Sequence, residues 1–332
     1  MTRGLVLVIA FACSSAAQVT YKVRLTAGEG GRIVELPAEK YVAGVLAGES
    51  SVFKSDEALK AMAISARTYA ARLKARHGKE GYDFCATTHC QRVVLDGITD
   101  GFTRAAQATA GELLWFDGNP AFSVYTRNCG GNTEDVRAVW PDVQTPYLRA
   151  HADPYCLRGT SGAWSWSARP DEIVSALRAS QLNAPQSMRL VSIAAQTPSG
   201  RNRNLYLEGD GGDRILISAS SFRFAIGRAL GWNTLRSERY QVEDVAGRIV
   251  FRGAGEGHGI GLCQAGADEM GQERHTYREI LAFYYPGTTI GRSANGFKWV
   301  RLGGEGVAVF TTRPEQDGMV LAIAESLARD EE

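Results

Sequence analysis

The spacing of hydrophobic and polar positions changes early in the chain. Apolar and polar residues alternate over 19–25 on the way into a glycine-rich turn, which predicts a hairpin over residues 19–36. After Pro37 the apolar residues recur every three or four positions, which predicts a helix that ends near Gly48. Glu49 follows this helix directly.

A second and longer helix is predicted to begin after Ser55. The Ser55 hydroxyl can cap its first turn, where Asp56 and Glu57 suit the positive end of the helix dipole. An apolar stripe then runs from Leu59 to Leu73. The pattern therefore predicts a helix with one buried face.

The rest of the chain mixes short strands and helices. Strands are predicted within 111–127, near 188–195, 203–209 and 213–218, and as a hairpin over 241–251. Helices are predicted near 170–179, 220–230, 263–271 and 276–284. Because these elements follow one another without regular β-α-β alternation, the predicted fold class is α+β.

Composition and charge exclude two classes of protein. A chain of 332 residues that is 44% hydrophobic can bury a large core, which excludes a disordered chain. Its 37 Lys and Arg residues nearly cancel its 36 Asp and Glu residues, so no polycationic surface for nucleic acid is expected. Six cysteines are too few for a disulfide-rich scaffold of this length, but they allow a metal site or a disulfide or two.

The N-terminus has the pattern of a secretory signal peptide. Arg3 precedes a short apolar run over 4–12, and small residues lead to a cleavage position after Ala17. The run is too short for a permanent transmembrane helix, and no integral membrane segment is expected after cleavage. Lipid attachment at Cys13 is the weaker alternative. The sequence therefore predicts removal of residues 1–17 and export to the periplasm or the cell exterior.

Glu49 is the first candidate for catalysis. A carboxylate at the C-terminal end of an apolar helix faces the negative end of the dipole and lies beside apolar walls. Both effects raise its pKa, as a general acid requires. A solvated glutamate at a helix end is the plainer alternative.

His77, Cys85, His89 and Cys90 are the second candidate site. Two Cys and two His residues within fourteen positions match the ligands of a closed tetrahedral zinc site. With four protein ligands, such a site leaves no position for water, so the metal would be structural. A local disulfide between Cys85 and Cys90 is the alternative, but it leaves both histidines unexplained.

Two further cysteines flank a segment rich in turns and aromatic residues. Gly130 and Gly131 allow a sharp turn after Cys129, and a disulfide from Cys129 to Cys156 would contribute about 3–4 kcal/mol. Nearby aromatic residues either line a sugar groove by stacking or belong to the core. These are Trp140, Tyr147, Trp164 and Trp166.

The last candidate segment is rich in glycine around His258. The alternating glycines over 253–261 indicate that the backbone passes close to another group. A phosphate loop lacks its Gly-Lys-Ser/Thr ending here. A cysteine peptidase would use Cys263 as nucleophile and His258 as base. A tight structural loop with a hydrogen-bonded histidine is the plainer alternative.

Four segments in this order resemble the SpoIID/LytB family, which contains stage II sporulation protein D and the LytB amidase enhancers. The resemblance runs from about Arg32 to Arg292, most of the chain. Each segment alone would be weak, whereas four in order are hard to obtain by chance. The segments are Tyr41 to Tyr69, Cys129-Gly130-Gly131 with Trp140 and Pro146-Tyr147-Leu148, Gly257-His258-Gly259-Ile260-Gly261, and Tyr284-Tyr285-Pro286-Gly287-Thr288.

The resemblance implies a lytic transglycosylase that acts on peptidoglycan strands already stripped of stem peptides by an amidase. Such an enzyme cleaves the MurNAc–GlcNAc β-1,4 bond without water and leaves a 1,6-anhydro-MurNAc end. Glu49 matches the family's catalytic glutamate, and one carboxyl group then suffices where hydrolases usually need two. Some members bind zinc through the segment that matches Cys85, His89 and Cys90, which favours the zinc site here.

The resemblance also assigns residues that position the glycan or Glu49. These are Lys60, Arg67, His258 and Gln264. It implies glycan strands and a cell-wall amidase as partners, a location at the cell wall, and a cleft that binds the glycan. A non-catalytic, glycan-binding enhancer of an amidase is the alternative function.

Departures from the family pattern affect four positions. Many members carry Glu-Met-Pro where this chain has Glu49-Ser50-Ser51, so a different loop is expected after the catalytic residue. Cys129 and Cys263 often correspond to serine in the sporulation proteins.

We expect a SpoIID-like domain over 18–292, and a C-terminal extension over 293–332 whose last helix has nothing obvious to pack on.

Overall fold

The computed structural model of the protein describes most of the chain in five stretches. The predicted signal peptide and the last helix of the predicted C-terminal extension lie outside the described residues. The described stretches are 19–50, 53–158, 162–292, 297–302 and 305–310.

Helices and short strands are mixed along these stretches, which confirms the α+β class. The helices are α1 (Ala38–Glu49), α2 (Asp56–Arg72), α3 (Asp100–Ala108), α4 (Val136–Val139), α5 (Pro154–Arg158), α6 (Pro170–Ala179), α7 (Ala219–Leu230), α8 (Gln264–Gln272) and α9 (Tyr277–Tyr284). The strands are β1 (Thr20–Arg24), β2 (Ile33–Pro37), β3 (Phe84–Cys85), β4 (Glu112–Phe116), β5 (Asn119–Pro120), β6 (Tyr125–Thr126), β7 (Ala163–Ala168), β8 (Met188–Gln196), β9 (Asn202–Gly209), β10 (Arg214–Ser218), β11 (Tyr240–Val245), β12 (Arg248–Ala254), β13 (Leu262–Cys263), β14 (Thr289–Arg292), β15 (Phe297–Leu302) and β16 (Glu305–Phe310).

The strands form several small sheets. Pairing is antiparallel except for β1 with β3 and β6 with β13. These two parallel pairs join distant parts of the sequence, because Val23 lies beside Phe84 and Tyr125 lies beside Leu262. The strand orders are β2-β1-β3, β14-β4-β5, β13-β6, β11-β12-β7, β10-β9-β8 and β15-β16.

Most of the predicted elements are confirmed within a few residues. The hairpin of β1 and β2 pairs Thr20 with Pro37, and the hairpin of β11 and β12 turns through positive φ angles at Ala246 and Gly247. Helix α3 was not predicted from the sequence. Its apolar face is short and consists of Phe102, which packs against the core, and the buried Ala105 and Ala106.

Helices α1 and α2 form the centre of the molecule next to β1. The apolar face of α1 is fully buried at Tyr41, Val42 and Leu46. The Ser55 hydroxyl accepts a hydrogen bond from the Ala58 N–H at 3.4 Å, which confirms the predicted N-cap of α2. Most of α2 is buried, and it ends at Arg72, one residue before the end of the predicted apolar stripe at Leu73.

Buried hydrophobic side chains form two separate cores. The first core gathers residues from β1 to Cys156 and then from Ile260 to Tyr285. The second gathers residues from Trp164 to Phe251, including those of α6 and α7. The segment from β7 to β12 therefore packs largely on itself, so the single domain predicted over 18–292 contains two hydrophobic cores.

The four aromatic residues considered for a sugar groove pack in these cores. Trp140 and Tyr147 are buried in the first core, and Trp164 is buried in the second. Trp166 stacks on Phe251 with the ring centroids 5.3 Å apart. Packing, and not a stacking platform for sugars, accounts for these rings. None of the described helices is both long and apolar enough to cross a membrane.

Asp268 on α8 anchors the start of α2. Its Oδ1 accepts hydrogen bonds from the backbone N–H groups of Lys54 at 2.6 Å and Ser55 at 2.8 Å. Its Oδ2 accepts a bond from Gln272 Nε2 at 2.9 Å. The helices approach closely because Gly271 faces Ser55, where a Cβ would overlap the serine side chain. This contact joins residues more than two hundred positions apart in the sequence.

Replacement of Asp268 by alanine is expected to lower the free energy of unfolding by about 2–4 kcal/mol, because two buried N–H groups lose their acceptor. Asp268→Asn keeps one acceptor oxygen and should lose less. Urea denaturation of the three proteins measures the difference. Asp142→Ala, at an exposed acid, is the control and should change the free energy by less than about 0.5 kcal/mol. Equal losses in Asp268→Ala and the control would contradict the anchoring role.

Candidate active site

Glu49 is the last residue of α1, where its side chain is half-buried. Its Oε1 accepts a hydrogen bond from the backbone N–H of Arg92 at 2.9 Å. This bond requires the chain at residue 92 to lie against the last turn of α1. Gly48 permits the approach, because a Cβ at that position would overlap the carbonyl oxygen of Arg92.

The environment of Glu49 raises its pKa above the ordinary value for a glutamate. Burial is the main cause. The N–H bond from Arg92 and the positive charges of Arg92 and Arg127 act in the opposite direction and limit the rise. The carboxyl group is therefore set to keep its proton nearer to neutral pH, while donors nearby stabilise it once the proton has left.

The loop that carries Arg92 is fixed by further contacts with α1. The amide of Gln91 joins two tyrosines, accepting a bond from Tyr41 Oη at 2.8 Å and donating one to Tyr125 Oη at 3.0 Å. Two residues beyond Arg92, the N–H of Val94 donates to the carbonyl of Gly44 at 3.0 Å. The hydrogen-bond donor to Glu49 is therefore held on both sides.

His77, Cys85, His89 and Cys90 come together just before this loop and form what we call the Cys/His cluster. Their ligand atoms all lie within 4.8 Å of one another. Cys90 Sγ lies 3.3 Å from His77 Nε2, and Cys85 Sγ lies 3.5 Å from His89 Nδ1. All four residues predicted for a metal site are thus brought together, in an arrangement that could bind a metal.

The surroundings of the Cys/His cluster suit metal ligation. Glu80 Oε1 lies 2.6 Å from His77 Nδ1, so the proton of His77 resides on Nδ1 and Nε2 keeps its lone pair for a ligand. The hydrogen bond between the two thiols lowers the pKa of Cys85 and raises the pKa of Cys90, so one of the two sulfurs is a thiolate and the other keeps its proton until a metal replaces it. If His89 binds a metal through Nδ1, the proton of its ring lies on Nε2. Arg76, whose Nη2 lies 3.3 Å from that Nε2, then loses this hydrogen bond and keeps only its bond to Tyr69.

Lys60 and Arg67 lie on α2 and bind protein groups. Lys60 Nζ contacts Glu57 Oε1 at 2.5 Å, with its side chain about a quarter exposed. Arg67 is buried, and its guanidinium forms an ion pair with Glu39 at 2.5 Å and donates to backbone carbonyls that include Ala106 O at 2.9 Å. Arg67 therefore holds α1, α2 and α3 together and has no free donor directed at a ligand.

The glycine-rich segment places His258 beside an aromatic ring and Gln264 inside the protein. The His258 Nδ1 accepts a bond from the Ile260 N–H at 3.0 Å, and its ring centroid lies 5.2 Å from that of Trp140. Burial, with added repulsion from nearby arginines, lowers the pKa of His258 to about 3, so this side chain is neutral. Gln264 begins α8 and is buried.

Cys129 and Cys156 are free thiols in the structure, so the disulfide considered between them is not formed. A third thiol, Cys263, and the carboxylate of Asp153 share their site, and we call these four residues the buried thiol cluster. Burial raises the pKa of the Cys263 thiol well above its ordinary value. An inaccessible, protonated thiol does not support a cysteine-peptidase nucleophile.

Two residues near Glu49 were not selected from the sequence. Arg92 acts through its backbone N–H, which every residue except proline carries, so its side chain gave no signal. Arg127 follows β6, and its positive charge acts on Glu49 while its side chain lies 3.5 Å from Glu256. Its position two residues before Cys129 was the available signal.

Comparison with known proteins identifies the family of this chain. The family model described as "Stage II sporulation protein" (SpoIID) matches residues 26–116, the part that contains Glu49 and the Cys/His cluster. An uncharacterized protein of Brachyspira hyodysenteriae is 31% identical over 260 residues, which cover 77% of this chain and 67% of that protein. Stage II sporulation protein D of Bacillus subtilis is 25% identical over 295 residues, which cover 83% of this chain and 80% of that protein.

A third relative is named for a different role. The amidase enhancer of Bacillus subtilis is 26% identical over 290 residues, which cover 74% of this chain but only 40% of that protein. The family match, the extent of these relatives and the order of the motifs lead to one assignment. This chain belongs to the stage II sporulation protein D (SpoIID) family.

Proposed function

We propose that this protein is a lytic transglycosylase that cleaves the MurNAc–GlcNAc bond of peptidoglycan strands stripped of stem peptides. Family membership and the name of the amidase-enhancer relative support a function related to the cell wall. The observation that carries the proposal is Glu49 itself. It is a half-buried carboxyl group with a raised pKa, held by a backbone N–H donor at one oxygen.

The proposed reaction uses the two protonation states of Glu49 in turn. The protonated carboxyl group donates its proton to the glycosidic oxygen, and the bond from that oxygen to the anomeric carbon of MurNAc breaks. The carboxylate then accepts the proton of the 6-hydroxyl group of the same MurNAc. The oxygen of that hydroxyl group bonds to the anomeric carbon. The products are a GlcNAc with a free 4-hydroxyl and a 1,6-anhydro-MurNAc end, and Glu49 regains its proton.

Each environmental effect on Glu49 suits one half of this cycle. Burial favours the protonated form that the first step needs, and the Arg92 N–H stabilises the carboxylate formed in between. Because that bond occupies Oε1, Oε2 is the oxygen assigned to proton transfer. No water has to attack, so a second catalytic carboxyl group is not required.

The Cys/His cluster is proposed to hold a structural zinc ion through His77, Cys85, His89 and Cys90. Four protein ligands close the coordination sphere, so zinc would supply stability and no chemistry with substrate. We call this proposed site the zinc clip. Because Cys90 and Arg92 are two residues apart, the zinc clip would fix the loop whose backbone N–H donates to Glu49. Of the other residues implied by the resemblance, the partly exposed Lys60 is proposed to contact glycan.

Arg67, His258 and Gln264 are proposed to position the walls of the site, since all three face protein groups. We further propose that the protein is exported and acts at the cell wall in the periplasm or outside the cell, alongside an amidase. The amidase-enhancer relative favours a second candidate, a glycan-binding protein that stimulates an amidase without cleaving glycan.

Replacement of Glu49 by glutamine tests catalysis against enhancement. Removal of a general acid is expected to reduce release of 1,6-anhydro-MurNAc products from amidase-treated peptidoglycan by about 10²–10⁴-fold, because the amide cannot donate the proton. Mass spectrometry of the soluble products measures the change. Glu243→Gln, at an exposed glutamate on β11, is the matched control and should match the wild type.

A sedimentation assay with the same stripped peptidoglycan separates the two candidates. Glu49→Gln should still bind, because the replacement keeps the size of the side chain. If wild type and Glu49→Gln release the same material while both stimulate an amidase, the enhancer is correct and the lyase is wrong.

The pH dependence tests the electrostatic setting of Glu49. Activity should fall on the alkaline side as the pH rises through the pKa of Glu49, since only the protonated form is an acid. Because Arg127 lowers this pKa, Arg127→Gln should move the alkaline limb to higher pH. The shift should stay below about one pH unit, since the side chain of Arg127 is nearly half exposed and solvent screens its charge. A limb that stays in place, as expected for the control Arg252→Gln on β12, would contradict this assignment.

Removal of a cysteine ligand tests the zinc clip. Cys90→Ser is expected to contain one zinc ion fewer per chain than the wild type and to melt at a lower temperature, because the loop before Arg92 loses its anchor. Elemental analysis and thermal denaturation provide the two measurements. His275→Gln, at a histidine outside the cluster, should change neither. Equal zinc contents in Cys90→Ser and wild type would reject the proposed ligands.

A further inference from the structure

The buried thiol cluster lies where three separate segments of the first core meet. Cys129 belongs to the turn after β6, Asp153 and Cys156 to the start of α5, and Cys263 to the N-cap of α8. All four residues are at most 1% exposed. One ligand atom from each lies within 4.8 Å of all the others.

We propose that the buried thiol cluster is a second structural metal site, in which Cys129, Cys156, Cys263 and Asp153 hold one zinc ion. Binding would replace the three thiol protons, which pass to solvent, by three sulfur–zinc bonds and one oxygen–zinc bond. This inference does not depend on the proposed activity or on the Cys/His cluster.

The geometry requires only small adjustments. Zinc binds thiolate sulfur at about 2.3 Å, and tetrahedral ligands at that radius lie about 3.8 Å from one another. The ligand atoms all lie within 4.8 Å of one another, so the distant pairs must approach by up to about 1 Å, while Cys129 Sγ and Asp153 Oδ2, 3.2 Å apart, must separate slightly. Three sulfurs and one carboxylate oxygen make a complete tetrahedral set, with no position left for water.

A disulfide explains these residues less well. It would join two of the three sulfurs and leave the third thiol and the carboxylate of Asp153 buried beside it. A metal uses all four groups and neutralises part of the charge that a buried carboxylate brings. The three thiols are free in the structure, in agreement with a site that uses them as separate ligands.

Cys263 and Asp153 accept hydrogen bonds, as the ligands of a metal site do from its outer shell, whereas the Cys156 thiol donates one to Asn128 Oδ1 at 3.1 Å, which metal binding would break. Cys263 Sγ accepts from the backbone N–H of Cys129 at 3.2 Å and from that of Gly266 at 3.5 Å. Asp153 Oδ2 accepts from Tyr284 Oη at 2.9 Å, and its Oδ1 accepts from the N–H of Cys156 at 2.9 Å.

Positive groups balance the charge of the occupied site. A dication with three thiolates and one carboxylate carries two net negative charges. The N-terminus of α8 points its N–H groups towards Cys263, and the buried guanidinium of Arg201 donates to the carbonyl of Cys129 at 3.0 Å. Gly266 lets α8 approach, because a Cβ there would overlap Tyr284 and Asp153.

The metal would fix the position of Arg127, which is two residues from Cys129. The adjoining turn pairs Asn128 with Glu256 across the glycine-rich segment. The Cys/His cluster ends two residues before Arg92 and the buried thiol cluster includes the residue two positions after Arg127, and Arg92 and Arg127 are the two residues whose positive charges act on Glu49. The second site is therefore structural, with an indirect effect on the pKa of Glu49.

The zinc content of the full chain, purified anaerobically under reducing conditions, tests the proposal. We expect two zinc ions per chain in the wild type and one in Cys156→Ser/Cys263→Ser. The matched variant Cys85→Ser/Cys90→Ser should also keep one ion, held by the buried thiol cluster. Cobalt substitution gives a second readout, because the thiolate-to-cobalt absorption of the wild type should reflect five thiolates and not two.

The outcomes separate this proposal from the zinc clip of the proposed function. One ion in the wild type and none in Cys85→Ser/Cys90→Ser would overturn the second site and leave the first intact. One ion in the wild type and one in Cys85→Ser/Cys90→Ser, with none in Cys156→Ser/Cys263→Ser, would support the second site and reject the first. If the denatured wild type takes up two thiol-blocking groups fewer than the same protein after reduction, and its cobalt spectrum shows two thiolates, a disulfide has formed and the second site is overturned.

A milder variant covers the case in which the double serine variant does not fold. Asp153→Asn keeps an acceptor for the Cys156 N–H and removes the anionic ligand. It is expected to release one of the two zinc ions to a chelator at least about tenfold faster than the wild type. Release at the wild-type rate would exclude Asp153 as a ligand and overturn the proposed ligand set.

Discussion

The close approach of residues 91–94 to helix α1 is the constraint on which the candidate site depends. Two glycines one helical turn apart make it possible, since a Cβ at Gly44 would come within 2.8 Å of Val93 and one at Gly48 would overlap the Arg92 backbone. The approach brings the N–H of Arg92 to Glu49. Without it, the carboxyl group would lie at a helix end in solvent, where neither its position nor its pKa would be set.

The groups around Glu49 shift its pKa in opposite directions. Burial favours the neutral acid, while the Arg92 N–H and the positive charges of Arg92 and Arg127 favour the carboxylate. A single residue that first gives and then takes a proton needs both forms within reach. Each of the two positive residues lies two positions from a cysteine of a cluster, Arg92 from Cys90 and Arg127 from Cys129.

Local pattern accounts for most of the fold. The helices with apolar stripes and the hairpins with glycine turns form where the spacing predicts them, because their own residues supply the buried face or the positive φ. Helix α3 has nine residues, and its apolar face of Phe102, Ala105 and Ala106 is too short to predict a helix with assurance. The two cores could not be read from the pattern either, because Trp164 and Trp140 are the same residue type and only the chain path separates them.

The sequence by itself determined the α+β class, the candidacy of Glu49 and the four residues of the Cys/His cluster, because adjacent residues and helix ends carry these signals. Only the tertiary structure decided which groups meet from distant segments. It buried Arg67 against Glu39, placed the Arg92 backbone on Glu49 and gathered Asp153 with three cysteines. Backbone donors have no side-chain signature, and contacts between segments more than a hundred residues apart depend on how the helices pack, so no local pattern could have shown them.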